Sequence, residues 1–341
     1  METRELGRHG LKVGAMGLGC MGMTEWYGHT DEPQSVRAIH RAIEMGLQLI
    51  DTADMYAVGK NELLVGRALT GSWRDLAIVA TKFGHVREPE TGRLLRVDGR
   101  PEYVKQACEA SLKRLGIDHI DLYQQHRVDR TVPIEETVGA MLELVQEGKV
   151  SYIGLSEAQP SDIRRAAAVA PISTLQTEYS LFERHAEDEV LDLCEELGIG
   201  FLAYSPLGRG LLTGRWQSEA DFDEFDTRGT GTNYPRFQPG NFEHNVALVE
   251  QVKAIGDQVG ATPAQVSLAW LLSRRPFVVP IPGTKRVERV EENAAALDVV
   301  LSPEQLATLD ALDAPQGERY PEASIPSWVS PPLAGTDGGQ A

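Results

Sequence analysis

Short apolar runs alternate with longer amphipathic ones along almost the whole chain. The runs Ala15–Gly19, Gln48–Ile50, Ala77–Thr81, Ile120–Gln124, Tyr152–Leu155, Thr174–Thr177, Phe201–Tyr204 and Val278–Ile281 are short and mostly apolar. Such runs predict strands buried on both faces, as in a parallel sheet. Between them lie Ser35–Met45, Asn61–Leu69, Pro101–Leu115, Ile134–Gln146, Ser161–Ala170, Glu187–Leu197, the pair Asn245–Val259 and Pro263–Ser273, and Val287–Leu297. Their apolar residues recur at helical spacing, as Val36, Ile39 and Ile43 do. Asp31 with Pro33, and Pro101, supply helix start signals.

Arg4 to Val13, turning at Gly7 to Gly10, predicts a hairpin ahead of the first unit. Pro303–Leu312 predicts a last helix. The Gly-rich stretch from Ser205 to Gly240 interrupts the rhythm, and Asp313 to Ala341 predicts an irregular tail. Eight strand–helix units in 341 residues predict an α/β fold, a (β/α)8 TIM barrel over residues 1–312. The tail, 313–341, is expected to pack on that barrel. A doubly wound sheet is the competing architecture.

Apolar content of 42% and charged content of 24% are ordinary for a globular chain. The net charge of -17 weighs against nucleic acid or an anionic membrane surface as partner. It also demands local cations wherever an anionic cofactor binds. Cys20, Cys108 and Cys194 are too scattered for a disulfide framework, which points to the reducing cytoplasm. No signal region opens the chain and no apolar stretch is long enough to span a bilayer. Neither the cysteines nor the histidines show metal-ligand spacing, so no metal is expected.

Two matches mislead. Gly17-Leu-Gly-Cys-Met-Gly22 fits a dinucleotide fingerprint, but aromatic loop residues follow it where a helix should open. Tyr56-Ala-Val-Gly-Lys60 spaces a phenol and an ammonium as one helix face would, yet Gly59 interrupts it.

The informative positions are the C-terminal strand ends, where barrel enzymes carry their chemistry. Asp51 ends the second strand and Lys82 the third; His126 ends the fourth, and Tyr56 follows Asp51. A phenol with an ordinary pKa of about 10 is a poor acid at neutral pH, and a nearby ammonium lowers that value. A carboxylate keeps the ammonium charged, and an imidazole orients a carbonyl oxygen. That set suits protonation of an oxyanion while hydride arrives from a cofactor.

The stretches Asp51-Thr-Ala-Asp-Met-Tyr56, Ala80-Thr-Lys82-Phe-Gly, Asp121-Leu-Tyr-Gln-Gln-His126, Gly154-Leu-Ser156, Leu175-Gln176, Ala203-Tyr204-Ser-Pro-Leu-Gly208 and Ile281-Pro-Gly-Thr284 resemble the aldo-keto reductase superfamily. The Gly19-Cys-Met-Gly-Met opening and the Tyr204 to Gly214 stretch resemble the branch of pyridoxal and perakine reductases and of potassium-channel β-subunits. The resemblance implies a hairpin plugging the barrel bottom, extra helices and loops at the C-terminal face, and NADPH (or NADP) lying across the top. Tyr56 would be the general acid, with Lys82 and Asp51 as its tuning pair and His126 as the orienting group.

Ser156 and Gln176 would hold the nicotinamide carboxamide, with Tyr204 stacked on the ring. Gly19, Cys20 and Met21 would flank the cofactor, and Ser205, Pro206, Leu207, Gly210 and Leu212 would follow its pyrophosphate. Gly283, Thr284, Lys285 and Arg289 would surround the 2′-phosphate, with Glu292 and Asn293 on the adenine. Lys285, Arg286 and Arg289 answer the demand for local cations and favour NADPH over NADH. One departure stands out: many members carry Asn after the carboxamide-binding Ser, where this chain has Glu157.

The implied activity is reduction of a small-molecule aldehyde or ketone to an alcohol by a cytoplasmic enzyme, with a homo-oligomer left open. A slow NADPH-binding sensor of the β-subunit kind is the alternative. A Schiff-base lyase using Lys82 is a third reading. Trp26, Tyr27, Phe83 and Arg127 are candidates for a substrate wall, with packing as the competing role. Tyr320, Ile325, Trp328 and Val329 in the tail either fold over the mouth or cover a flank.

Overall fold

The computed structural model describes residues 2–216, 218, 221–229 and 234–324. The chain opens with an antiparallel hairpin of β1 (Thr3–Leu6) and β2 (Leu11–Gly14). Eight strands then form one parallel sheet: β3 (Leu18–Gly19), β4 (Leu49–Asp51), β5 (Ile78–Phe83), β8 (Ile120–Gln125), β9 (Val150–Ser156), β10 (Ile172–Glu178), β11 (Gly200–Tyr204) and β12 (Val278–Pro280). Each pairs with the next in that order. The first and last strands meet through a parallel bridge between Gly19 and Gly283. The Gly17 N–H also donates to the Pro280 carbonyl at 3.0 Å. The sheet is therefore closed, and the expected (β/α)8 barrel stands.

Glycine is required at that seam. A β-carbon on Gly17 would lie 2.9 Å from the Leu49 carbonyl oxygen and 3.0 Å from Ile281 Cγ2. The first strand spans two residues, Leu18–Gly19, shorter than the Ala15–Gly19 expected.

Helices α1 (Glu32–Glu44), α2 (Lys60–Ala68), α4 (Pro101–Leu115), α5 (Ile134–Gln146), α6 (Pro160–Ala167), α7 (Val190–Leu197), α8 (Asn241–Val259), α9 (Pro263–Arg274), α10 (Val287–Ala294) and α11 (Pro303–Asp310) surround the barrel. Asp31 caps α1 by accepting from the Gln34 N–H at 2.9 Å. Two elements escape the hydrophobic pattern. One is the short helix α3 (Ser72–Leu76), and the other is a hairpin of β6 (His85–Arg87) and β7 (Leu94–Val97) standing on the C-terminal rim. Both are too short and polar for a periodic signal.

Two apolar layers result. The outer one, between strands and helices, holds most of the core. The inner one joins Leu6, Leu11 and Val13 of the hairpin to Leu49, Ala80, Leu122, Leu202 and Val279 inside the barrel. The hairpin thus plugs the bottom and leaves the top for chemistry. Gly200 permits this seat, because a β-carbon there would lie 2.7 Å from Leu6 Cα.

Among the described residues no helix is long and apolar enough to cross a membrane. Among the same residues no group of three His, Cys, Asp or Glu is placed to hold a metal.

Candidate active site

The strand ends converge on a cavity of about 430 Å³ at the top of the barrel. Asp51, Ser156, Gln176 and Tyr204 line it from the ends of β4, β9, β10 and β11. His126 joins them just past β8. Lys82 does not line it. Its side chain is fully buried beneath the floor, where Nζ donates to Asp51 Oδ1 at 2.6 Å, to the Thr52 carbonyl at 2.9 Å and to Tyr56 Oη at 3.2 Å.

Tyr56 reaches this point from the loop after β4. Three residues in succession, Ala57, Val58 and Gly59, have φ of 46, 52 and 83°. That left-handed run turns the chain sharply into α2, leaving Lys60 exposed, so the Tyr56-to-Lys60 spacing is incidental. Asn61 pins the loop by donating to the Cys20 carbonyl and to Thr24 Oγ1, both at 2.8 Å. The Gly17-to-Gly22 match likewise leads only into a single turn, Met21–Met23.

Burial raises the Tyr56 phenol above its ordinary value; Lys82 pulls it down and Asp51 pushes it up again. The net direction corrects the expectation of a lowered phenol, because desolvation outweighs the ammonium. Lys82 shows the opposite balance. Burial acts against its charge, yet Asp51 and Tyr56 together raise its pKa. His126 sits well below its ordinary value through burial, then through His85, Arg127 and Lys82. The floor thus holds a protonated phenol, a charged ammonium and a neutral imidazole at neutral pH. The Tyr56 and His126 rings meet edge-on with centroids 5.8 Å apart.

Two side chains beside them have complementary spare capacity. Gln176 donates its NH2 to Asp51 Oδ2 at 2.8 Å, so its oxygen remains an acceptor. Ser156 Oγ accepts from Arg127 Nη1 at 3.2 Å, so its proton remains for donation.

The rest of the groove is cationic. Arg215, Arg228, Lys285, Arg286 and Arg289 line one end, with Thr284, Glu292 and Asn293 beside them. Burial, then Arg289 and Arg215, lower the Arg286 pKa, and the nearby Glu288 and Glu292 only partly offset them. Arg289 pairs with Glu292, and Lys285 Nζ donates to the Tyr27 and His29 carbonyls. Ser205, Pro206, Leu207 and Gly210 line the stretch between the two ends. Ser205, Gly208, Arg209 and Gly210 there have left-handed backbones, and such turns aim N–H groups into anion-sized hollows. A β-carbon on Gly210 would lie 2.9 Å from Trp216 Nε1, which is buried with no hydrogen-bond partner among the described residues.

Gly19, Met21 and Gly283 also line the cavity, whereas Cys20 and Leu212 are buried behind its wall in the core. Trp26, Tyr27, Arg127 and Tyr320 face the cavity, and Phe83 packs in the core. Ile325, Trp328 and Val329 lie outside the described residues. Arg209, Arg215, Trp216, Arg228 and Tyr234 also line the cavity but escaped sequence reasoning. They sit in the aperiodic Ser205 to Gly240 stretch, where the resemblance pointed only to the Ser205 to Leu212 segment and nothing singled out these side chains.

The chain is thus a closed barrel with its chemistry-bearing side chains gathered on the C-terminal rim. Residues 15–314 match the model of the aldo/keto reductase family, and the chain belongs to that family. A probable aldo-keto reductase 1 of Glycine max is 45% identical over 309 residues, 90% of this chain and 87% of that protein. The solved structure of glycerol dehydrogenase AKR11B4 from Gluconobacter oxydans matches with a TM-score of 0.81 at 32% identity, over 91% of this chain and 94% of its own. An aldo/keto reductase from Klebsiella pneumoniae, in complex with NADP and acetate, matches with a TM-score of 0.71 at 33% identity, over 94% and 98%.

Proposed function

We propose that the protein reduces an aldehyde or ketone to an alcohol with NADPH, and that Tyr56 supplies the proton. The observation that carries this reading is the Lys82 ammonium, 2.6 Å from Asp51 Oδ1 and 3.2 Å from the Tyr56 oxygen beneath an open cavity. The groove residues fit NADPH chemically. The cation-rich end suits a phosphate monoester, and Trp216 Nε1, without a partner among the described residues, adds a donor along the way. Ser156 as donor and Gln176 as acceptor match the two ends of a carboxamide. Bound there, NADPH supplies the hydride.

The chain's own residues do the rest. Neutral His126 and the Tyr56 hydroxyl orient the carbonyl oxygen at the floor. As negative charge develops on that oxygen, Tyr56 gives up its proton, and the adjacent ammonium stabilises the phenolate left behind. Asp51 keeps Lys82 charged and fixed, so little reorganisation accompanies the transfer. The same pairing weighs against the Schiff-base reading, since a lysine held charged is a poor nucleophile.

The test is a panel of aldehydes and ketones with NADPH, followed by loss of nicotinamide absorbance. Turnover of at least one carbonyl, abolished in Tyr56→Phe, is expected. Tight NADPH binding with no turnover across the panel would favour the sensor reading instead.

A further inference from the structure

Arg319 lies beyond the family-matched residues 15–314, yet it reaches back to the rim. Its guanidinium forks onto Glu157, with Nη1 3.1 Å from Oε1 and Nη2 3.2 Å from Oε2. Glu157 is the peptide neighbour of Ser156, is buried and has a φ of 51°. A residue with a side chain holds that conformation only under constraint. Its N–H donates to the Gln176 carbonyl at 3.0 Å, and Oε1 accepts the Glu178 N–H at 3.1 Å. Glu157 therefore ties the end of β9 to the end of β10 and both to the tail.

The next tail residue makes the second connection. The Tyr320 hydroxyl lies 3.4 Å from the Tyr204 hydroxyl, and both rings line the cavity. Arg209 sits over the Tyr320 ring at 4.6 Å and donates to the Arg319 carbonyl at 3.1 Å. Arg209 also pairs with Glu178 at 3.0 Å, and Arg236 with Glu183 at 2.7 Å. Three acids, Glu157, Glu178 and Glu183, thus face three arginines, Arg209, Arg236 and Arg319, in a nearly dry cluster. Withdrawing Arg319 would leave Glu157 buried without its cation, so the tail is held firmly in its seat.

We propose that Arg319 is a positioning residue for the nicotinamide end of the groove, fixing Ser156 through Glu157 and Tyr204 through Tyr320. The inference rests on the NADPH reading of the site. Arg319 itself does not line the cavity, so it acts only through those neighbours. Seating of the tail and binding of the cofactor then reinforce each other. The position after Ser156, which departs from the family pattern, serves the tail instead of the cofactor.

The full chain tests this through NADPH affinity, read by fluorescence titration without substrate, and through steady-state kinetics. Arg319→Gln is expected to bind NADPH about tenfold more weakly, as loss of a supporting shell does. Its KM for NADPH rises to match, while kcat at saturating NADPH stays within about threefold of wild type. Tyr320→Phe keeps every ion pair and so guards against misfolding; it is expected to weaken NADPH by about threefold. The double variant Glu157→Gln with Arg319→Gln removes the unpaired acid and is expected to retain the weakened affinity.

Unchanged NADPH affinity in Arg319→Gln and Tyr320→Phe overturns the proposal while leaving the cofactor reading intact. A lower melting temperature with an unchanged KM for NADPH assigns the pair to fold stability alone and overturns it too. A wild-type protein that binds no NADPH overturns the cofactor reading, and this proposal with it.

Discussion

Lys82 and Asp51 form an ion pair at 2.6 Å in which the lysine side chain has no solvent exposure and the aspartate almost none. Such a pair gains little over an apolar replacement, but breaking it leaves a buried charge uncompensated. Lys82→Met is expected to destabilise the fold by about 3–5 kcal/mol in urea titrations. It is also expected to cut kcat by about 10²-fold or more, the scale of acid–base catalysis. Lys82→Met with Asp51→Asn is expected to cost less than the sum of the two singles. An additive double variant would show that the pair is not coupled.

Carbonyl reduction should be insensitive to pH until the phenol ionises. Burial raises the Tyr56 pKa, so kcat is expected to stay level through neutral pH and fall only above the ordinary phenol value of about 10. His126 adds no limb near neutrality, because its pKa lies well below its usual value. A rate that falls between about pH 6 and 8 would contradict both assignments.

Stability should follow a different course. The fold disfavours the His126 proton, whereas the unfolded chain takes it up below about pH 6.5, so stability is expected to decline as pH drops through that value. Glu183 adds a second loss. Burial alone would raise its carboxyl, but the His185 hydrogen bond and the charges of Arg236 and Arg319 bring it down to about 2. The stabilisation it gives is complete above its ordinary value and disappears as pH falls from there towards about 2. Urea midpoints at about pH 8, 5.5 and 3.5 would trace both stages. Equal midpoints at the first two would remove the histidine contribution.

The cationic end of the groove should discriminate between cofactors. Arg286→Ala and Arg289→Ala are each expected to raise KM for NADPH by about tenfold, the worth of one charge-assisted bond. NADH, which lacks the extra phosphate, should be much less affected. Parallel losses for both cofactors would move the phosphate site elsewhere.

Two glycines give opposite expectations. Gly17→Ala drives a β-carbon into the Leu49 backbone at the barrel seam and is expected to cost about 1–3 kcal/mol. Gly139 lies within α5 with nothing inside 4 Å of its added carbon, so Gly139→Ala should stabilise by about 0.5–1 kcal/mol. Melting curves of the two variants decide both.

Much of the barrel was readable because its signals are local. A run such as Leu49 to Asp51 is buried on both faces in the parallel sheet, and its last side chain emerges at the rim. That is why Asp51, Lys82, Ser156, Gln176 and Tyr204 were found from strand ends. The β6–β7 hairpin and the Arg209, Arg215 and Arg228 cluster were not found, because nothing in their own spacing announces them. The direction of the Tyr56 shift also depends on how completely water is excluded, which no neighbour in sequence reports.

Order of elements, closure into eight units and the residues at each strand end follow from the sequence itself, since hydrophobic period and strand length are short-range properties. The tertiary structure alone brought Arg319 to Glu157 across 162 positions and gathered the groove's cations from several loops. It also decided that burial outweighs the ammonium at Tyr56. Those outcomes depend on desolvation and on contacts between distant segments, which exist only once the chain is packed.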